Sequence, residues 1–219
     1  MPVYDISGPI REGIWKYGDS YPDYRPEHTS AEPGTFYFEI FHGFNSQTGV
    51  YLETTAHVNG YENGRMLSEV PVSSLVNLPC RVLHLDRETV YANRGEISPA
   101  VLQKAAEGMD FPEGCAILWE SGWDNWYAED FLTGGPWLTR EAMVWLLSKK
   151  PSLMGSDTPA WQNEEPVFDL FAATDTLLLA PLVGLDKVSG THSLLTVLLE
   201  FSHAISGTLL VSNEKSCNI

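Results

Sequence analysis

Hydrophobic positions along the chain fall into two kinds of run. CRVLHL (80–85), CAILWES (115–121), SLMGS (152–156), TLLLAPL (176–182) and SLLTVLLEF (193–201) are almost continuously apolar. That is the pattern of strands covered on both faces. FYFEIFHG (36–43) and VYLETTAHV (50–58) flank the turn-like NSQTG and predict a hairpin. Helical signals occur twice. SPAVLQKAAEG sets Ser98 as N-cap, Pro99 at the first helical position and Gly108 as the stop. LTREAMVWLLSKK has Thr139 as cap, Glu141 in the first turn, Lys149 and Lys150 in the last, and Pro151 as terminator. That charge order complements the helix dipole. Strands and helices in alternation predict an α/β domain with a mixed central sheet and few helices. Proline and glycine punctuate the first 35 residues, which read as an irregular arm carrying Trp15, Tyr17, Tyr21 and Tyr24. Such an arm lies either on its own core or on a neighbouring subunit. From about Ser202 onward the chain turns polar and reads as a frayed tail over 202–219.

The length of 219 residues fits a single domain over 1–219, and 43% hydrophobic residues with 11% aromatics suffice for a sizeable core. The formal net charge of −16 changes the picture of partners. A field of that sign repels phosphate backbones and anionic membrane surfaces, so neither nucleic acid nor membrane is an expected partner. The opening MPVYDISGPIREGIW lacks a basic segment followed by an apolar block, and no apolar run reaches membrane-spanning length. Cys80, Cys115 and Cys217 are odd in number and lack CxxC spacing; Cys80 and Cys115, set in apolar runs, are expected to be buried free thiols, which suits a reducing cytoplasm.

Candidate chemistry concentrates in YLETTAHVNGYENG, residues 51–64. On a strand over 50–58, Tyr51, Glu53, Thr55, His57 and Asn59 share one face. A face with an acid and an imidazole faces water or lines a pocket, because buried charge needs a partner. Glu53, His57 and Asn59 could hold a metal ion, although an amide is a poor third ligand. A hydrogen-bonded acid–histidine pair or a solvated face is the competing reading. After the strand CAILWE, the cluster SGWDNWY offers Trp123, Trp126 and Tyr127 as apolar walls and Asp124 as a polar handle, or else an aromatic cap. GSDTPAW places one more acid, Asp157, at a strand end.

In this order, YDISGPIREGIWKYGD, EISPAVLQKAAEGMDFPEGCAILWESGWDNWY, FLTGGPWLTREAMVWLLSKKPSLMGSDTPAW and DTLLLAPL resemble the cyclase family that includes kynurenine formamidase and isatin hydrolase. Collinearity over most of the chain carries the resemblance. It implies a swivelling β/β/α fold, assembly into dimers or larger homo-oligomers, and divalent-metal hydrolysis of amide bonds in small aromatic substrates. Laid on this chain, the family signature HxGTHxDxPxH puts its first histidine on Glu53, its second on His57, its aspartate on Asn59, its proline on Tyr61 and its last histidine on Asn63. His57 alone is retained. The resemblance implies metal ligation at 53, 57 and 59 and acid/base work at 63. A downstream histidine and glutamate of the family find no clear match. QNEEPVFDLFAATD contains no histidine, Glu164 and Glu165 are its nearest acids, and His192 and His203 come later in the chain.

Three functional expectations follow. The first is a hydrolase opening an amide, formamide or lactam bond, with zinc or manganese on Glu53, His57 and Asn59. The second is a metal-independent cyclase, isomerase or dehydratase of small-molecule biosynthesis, with Glu53 and His57 as acid/base pair and Asn59 and Asn63 as oxyanion donors. The third is a non-catalytic ligand-binding homologue. The candidate residues are Glu53, His57 and Asn63 for chemistry, and Tyr51, Asn59, Trp123, Asp124, Trp126 and Asp157 for a small-molecule ligand.

Overall fold

The computed structural model describes residues 3–163, 165–189, 192–198 and 206–212. A two-stranded ribbon comes first, β1 (Arg25–Glu32) paired antiparallel with β2 (Thr35–His42). β3 (Tyr51–Glu53) leads into one helical turn, α1 (Ala56–Asn59). There follow β4 (Leu78–His84), α2 (Arg87–Ala92), β5 (Glu96–Ile97), α3 (Pro99–Ala105), β6 (Ala116–Glu120) and β7 (Trp137–Leu138). α4 (Arg140–Leu147), β8 (Leu153–Ser156), α5 (Phe168–Ala172), β9 (Leu177–Ala180), β10 (His192–Leu198) and β11 (Ser206–Ser212) complete the order.

β4, β6, β8 and β9 are parallel neighbours, and β3 joins β9 antiparallel. β11 and β10 continue from β3 back to β4, so the mixed sheet closes into a barrel. Both faces of its strands are covered. Leu83, Ile117, Trp119 and Leu178 pack with the helical residues Leu102, Met143, Leu146 and Phe171. Their chain neighbours Val82, Leu118 and Leu179 belong to a second cluster with Ile6, Ile14, Trp126 and Phe131. This is the architecture that continuous apolar strands predict.

Several local expectations are corrected. Residues 1–35 are not wholly irregular, because β1 lies among them. The hairpin forms around Pro33–Gly34 rather than NSQTG. Pro33 fixes its own φ, Gly34 takes φ +81°, and Thr35 donates its hydroxyl to the Glu32 carbonyl. The segment 50–58 is a strand only as far as Glu53. Beyond it the His57 amide bonds the Thr54 carbonyl and the Asn59 amide bonds the Thr55 carbonyl, so the backbone coils. The 202–219 tail contains β11, whose pairing with β10 and β3 overrides its weak apolar period; residues 202–205 and 213–219, with His203 and Cys217, lie outside the described residues. Both helices are where their caps put them. Thr139 accepts the Ala142 amide, whereas the Ser98 side chain makes no capping bond. Cys80 and Cys115 are buried and unpaired.

The C-terminal ends of the parallel strands are tied by one carboxylate. Asp157, just past β8, accepts from the amides of Ser121, Gly122 and Trp123 at 2.8–3.1 Å and from the Ser121 hydroxyl at 2.8 Å. Successive amides converging on one acid form an anion nest. Burial pushes the Asp157 carboxyl up to about 6, and the Ser121 and Trp123 bonds pull it back. Replacing Asp157 by Ala strands these buried donors. It should lower unfolding free energy by about 3 kcal/mol or more in urea melts; a loss under about 1 kcal/mol would contradict the tying role.

Candidate functional site

A cavity of about 380 Å³ opens where β8 and β9 end, bounded by the 159–162 loop, β3, α1, α5 and the N-terminal arm. The β3–β9 register builds its floor. Tyr51 stands opposite Ala180 and Glu53 opposite Leu178, so these side chains share one face while Leu52 enters the core behind. The switch from strand to helical turn then brings His57 back over Glu53. Gly64 secures that turn, since a Cβ there would lie 2.2 Å from the Ala56 Cα.

Glu53 is buried, with 7% of its side chain exposed against 34% for His57. Its Oε1 accepts from Gln47 Nε2 at 3.0 Å and lies 3.3 Å from His57 Nδ1. Among the described residues nothing hydrogen-bonds Oε2. Gln47 is itself held, accepting the Tyr21 hydroxyl at 2.7 Å. The Tyr51 hydroxyl donates to that of Tyr17 at 2.8 Å, and Tyr17 donates to the Pro159 carbonyl at 3.1 Å. Burial pushes the Glu53 carboxyl up to about 7, opposed by the Gln47 bond. Burial lowers the His57 pKa, and it raises both Tyr17 and Tyr51. Near neutrality the site therefore holds a carboxyl present in both protonation states beside an imidazole whose neutral form burial favours.

Of the residues singled out in the sequence, Tyr51, Glu53 and His57 meet in this cavity. Asn59 and Asn63 do not join them, because a helical turn rotates successive side chains away where a strand would have aligned them. Asn59 donates to the Ala172 carbonyl at 2.9 Å, and Asn63 is exposed on the following turn. Trp123 stacks on Phe131 and donates to its carbonyl, Trp126 is buried and donates to the Pro9 carbonyl, and Asp124 is exposed. With the structural Asp157, these belong to the strand-end loop, outside the cavity lining. Glu165 is exposed and also outside the lining, and Glu164 lies outside the described residues. Tyr17, Tyr21, Gln47, Trp161 and Phe168 line the site without having been singled out for it. The recurring tyrosines of the arm were a signal for two of them; Gln47, hidden in a turn-like sequence, offered none.

A family model described as "Cyclase: Putative cyclase" matches residues 4–163. The chain belongs to this cyclase family. No curated protein matches it. Among solved structures it is similar to isatin hydrolase A from Labrenzia aggregata bound to benzyl benzoate, at 18% identity and TM-score 0.80, covering 97% of this chain and 93% of that one. An isatin hydrolase bound to the product analogue thioisatinate is similar at 20% identity and TM-score 0.80, covering 97% and 92%. A predicted metal-dependent hydrolase from Bacillus stearothermophilus follows at 18% identity and TM-score 0.73, covering 97% of each chain. At such identities the likeness shows a cyclase-like fold. Among the described residues, no helix is long and apolar enough to cross a membrane.

The family resemblance implies a divalent metal, and the cavity's donors do not fit one. A catalytic zinc takes three strong protein ligands. Here Glu53 and His57 are the two strong donors, the nearest third group is the Gln47 amide, and Asn59 is turned to Ala172. Among the described residues no group of three or more His, Cys, Asp and Glu could hold an ion.

A carboxyl whose pKa is higher folded than unfolded contributes stability at low pH and loses it as pH rises through the folded value. For Glu53 that window runs from about 4.5 to about 7. The Glu53→Gln protein should therefore gain on the wild type by about 2–3 kcal/mol between pH ~5 and ~8 in urea melts. A difference that does not move with pH would contradict the buried, weakly compensated acid.

Proposed function

We propose that this cyclase-family enzyme works by metal-independent acid–base catalysis on a small cyclic or aromatic substrate, making or breaking a ring bond. The observation carrying this reading is a buried carboxyl poised at about 7 on the cavity wall beside His57, with no hydrogen bond to its Oε2 among the described residues. An acid tuned near the working pH can both take and return a proton within one cycle. Glu53 is the proton carrier. His57 contacts Oε1 through Nδ1, which leaves Nε2 for a second proton transfer at the more open rim. Gln47 positions the carboxyl and keeps Oε1 occupied, so Oε2 does the transfer. Trp161, Phe168 and the tyrosines exclude water and supply flat apolar contact. A second reading, hydrolysis of an amide or lactam by a water that Glu53 deprotonates, draws support from the isatin-hydrolase likeness and the rim position of His57.

Turnover of aryl formamides, aromatic lactams and their ring-closing precursors tests the reading. Glu53→Gln and His57→Ala should each lower kcat/KM by ~10²-fold or more, and a chelator should leave the wild-type rate unchanged. Activity lost to the chelator and restored by zinc or manganese would defeat it.

Self-association through the β1–β2 ribbon is part of the proposal. An isolated two-stranded hairpin is marginal in water, yet this one carries Phe36 and Tyr37 at 83% and 78% exposure, with Phe38, Ile40 and Phe41 also exposed. The oligomers implied by the resemblance, and the buried unpaired thiols suited to a reducing cytoplasm, agree with that setting. Sedimentation should give a dimer or larger assembly that Phe36→Asp with Phe38→Asp dissociates; a monomeric wild type at tens of micromolar would contradict it.

A further inference from the structure

The cavity wall holds more aromatic surface than proton transfer needs, arranged in a particular way. Tyr17 meets Tyr21 with ring centroids 6.3 Å apart at 62° and meets Tyr51 at 6.1 Å and 87°. Both are edge contacts on Tyr17 rather than stacks, and all three rings line the cavity. Their hydroxyls are already engaged: Tyr21 with Gln47, Tyr51 with Tyr17, and Tyr17 with the Pro159 carbonyl. What the rings can still offer a ligand is π surface, whose faces are electron-rich.

The charge inventory points the same way. No lysine or arginine is among the described residues lining the cavity, and Glu53 is its one acid. The whole chain, at −16, draws cations and repels anions. An anionic ligand would find no fixed positive charge in this pocket, whereas a cationic one would find a carboxylate and three rings.

We propose that the cavity is an aromatic cage for an organic cation: the substrate carries a quaternary ammonium, protonated amine or charged ring nitrogen seated among Tyr17, Tyr21 and Tyr51, with Glu53 as counter-ion. This names the substrate class of the acid–base site and rests on that reading for what Glu53 does next. A cation beside Oε2 favours the ionised carboxylate, so binding sets Glu53 in its proton-accepting form.

Calorimetry on the full chain tests the cage with three probes of one shape class: phenyltrimethylammonium, its neutral isostere tert-butylbenzene, and benzenesulfonate. The cation should bind about tenfold or more tighter than the isostere, and the sulfonate weakest. Glu53→Gln, nearly isosteric and so expected to fold, should cost the cation about tenfold and leave the isostere unchanged. Tyr21→Phe should keep most of the cation affinity and Tyr21→Leu should lose about fivefold or more. Equal or tighter binding of the isostere or the sulfonate, or no binding of the cation by folded protein, overturns the proposal. These titrations involve no turnover. A failed cation preference with turnover still lost in Glu53→Gln would sink the cage alone, and a firm preference with full Glu53→Gln turnover would sink the acid–base reading alone.

Discussion

A carboxyl group taken out of water needs compensation, and among the described residues Glu53 receives little of it. One amide, Gln47, donates to Oε1 at 3.0 Å, and His57 stands 3.3 Å from the same oxygen. The contrast with Asp157 is instructive. Both acids are buried, but Asp157 is wrapped by three backbone amides and a hydroxyl. Among the described residues, Glu53 Oε2 has no such donor.

The under-compensated acid depends on a backbone event, the change from strand to helical turn after Glu53. A continued strand would have kept Asn59 on the face of Glu53 and His57. The turn instead returns His57 alone and sends the Asn59 amide to the Ala172 carbonyl on α5. The cavity's floor comes from the β3–β9 register and its walls from Trp161, Phe168 and the arm, none of which needs an ion.

Much of the fold was legible in the chain. The continuously apolar runs became the barrel strands because burial on both faces leaves no polar alternation to misread. Caps and proline placed α3 and α4 correctly. The ribbon was harder to see, since RPEHTSAE has little β-propensity and gains strand structure only by pairing with β2. The acid and histidine of the site were legible as a pair, and the collinear resemblance located the fold around them. Gln47 and Trp161 were not, because they reach the site through loop geometry that leaves no period in sequence. The rule that strand ends bind ligands points to Trp123, Trp126 and Asp124 as a pocket wall. Here that strand end is closed over by its own loop, and the adjoining end, after β8 and β9, is the open one.

The central claim is that Glu53 is a near-neutral proton carrier in a pocket unsuited to holding a metal. Following its side-chain carboxyl by carbon-13 NMR through a pH titration, without and with added zinc or manganese, tests this most directly. A midpoint near pH ~7 that divalent ions leave in place is the predicted result. A midpoint in the ordinary carboxylate range, or one that collapses downward when the ion is added, would contradict it.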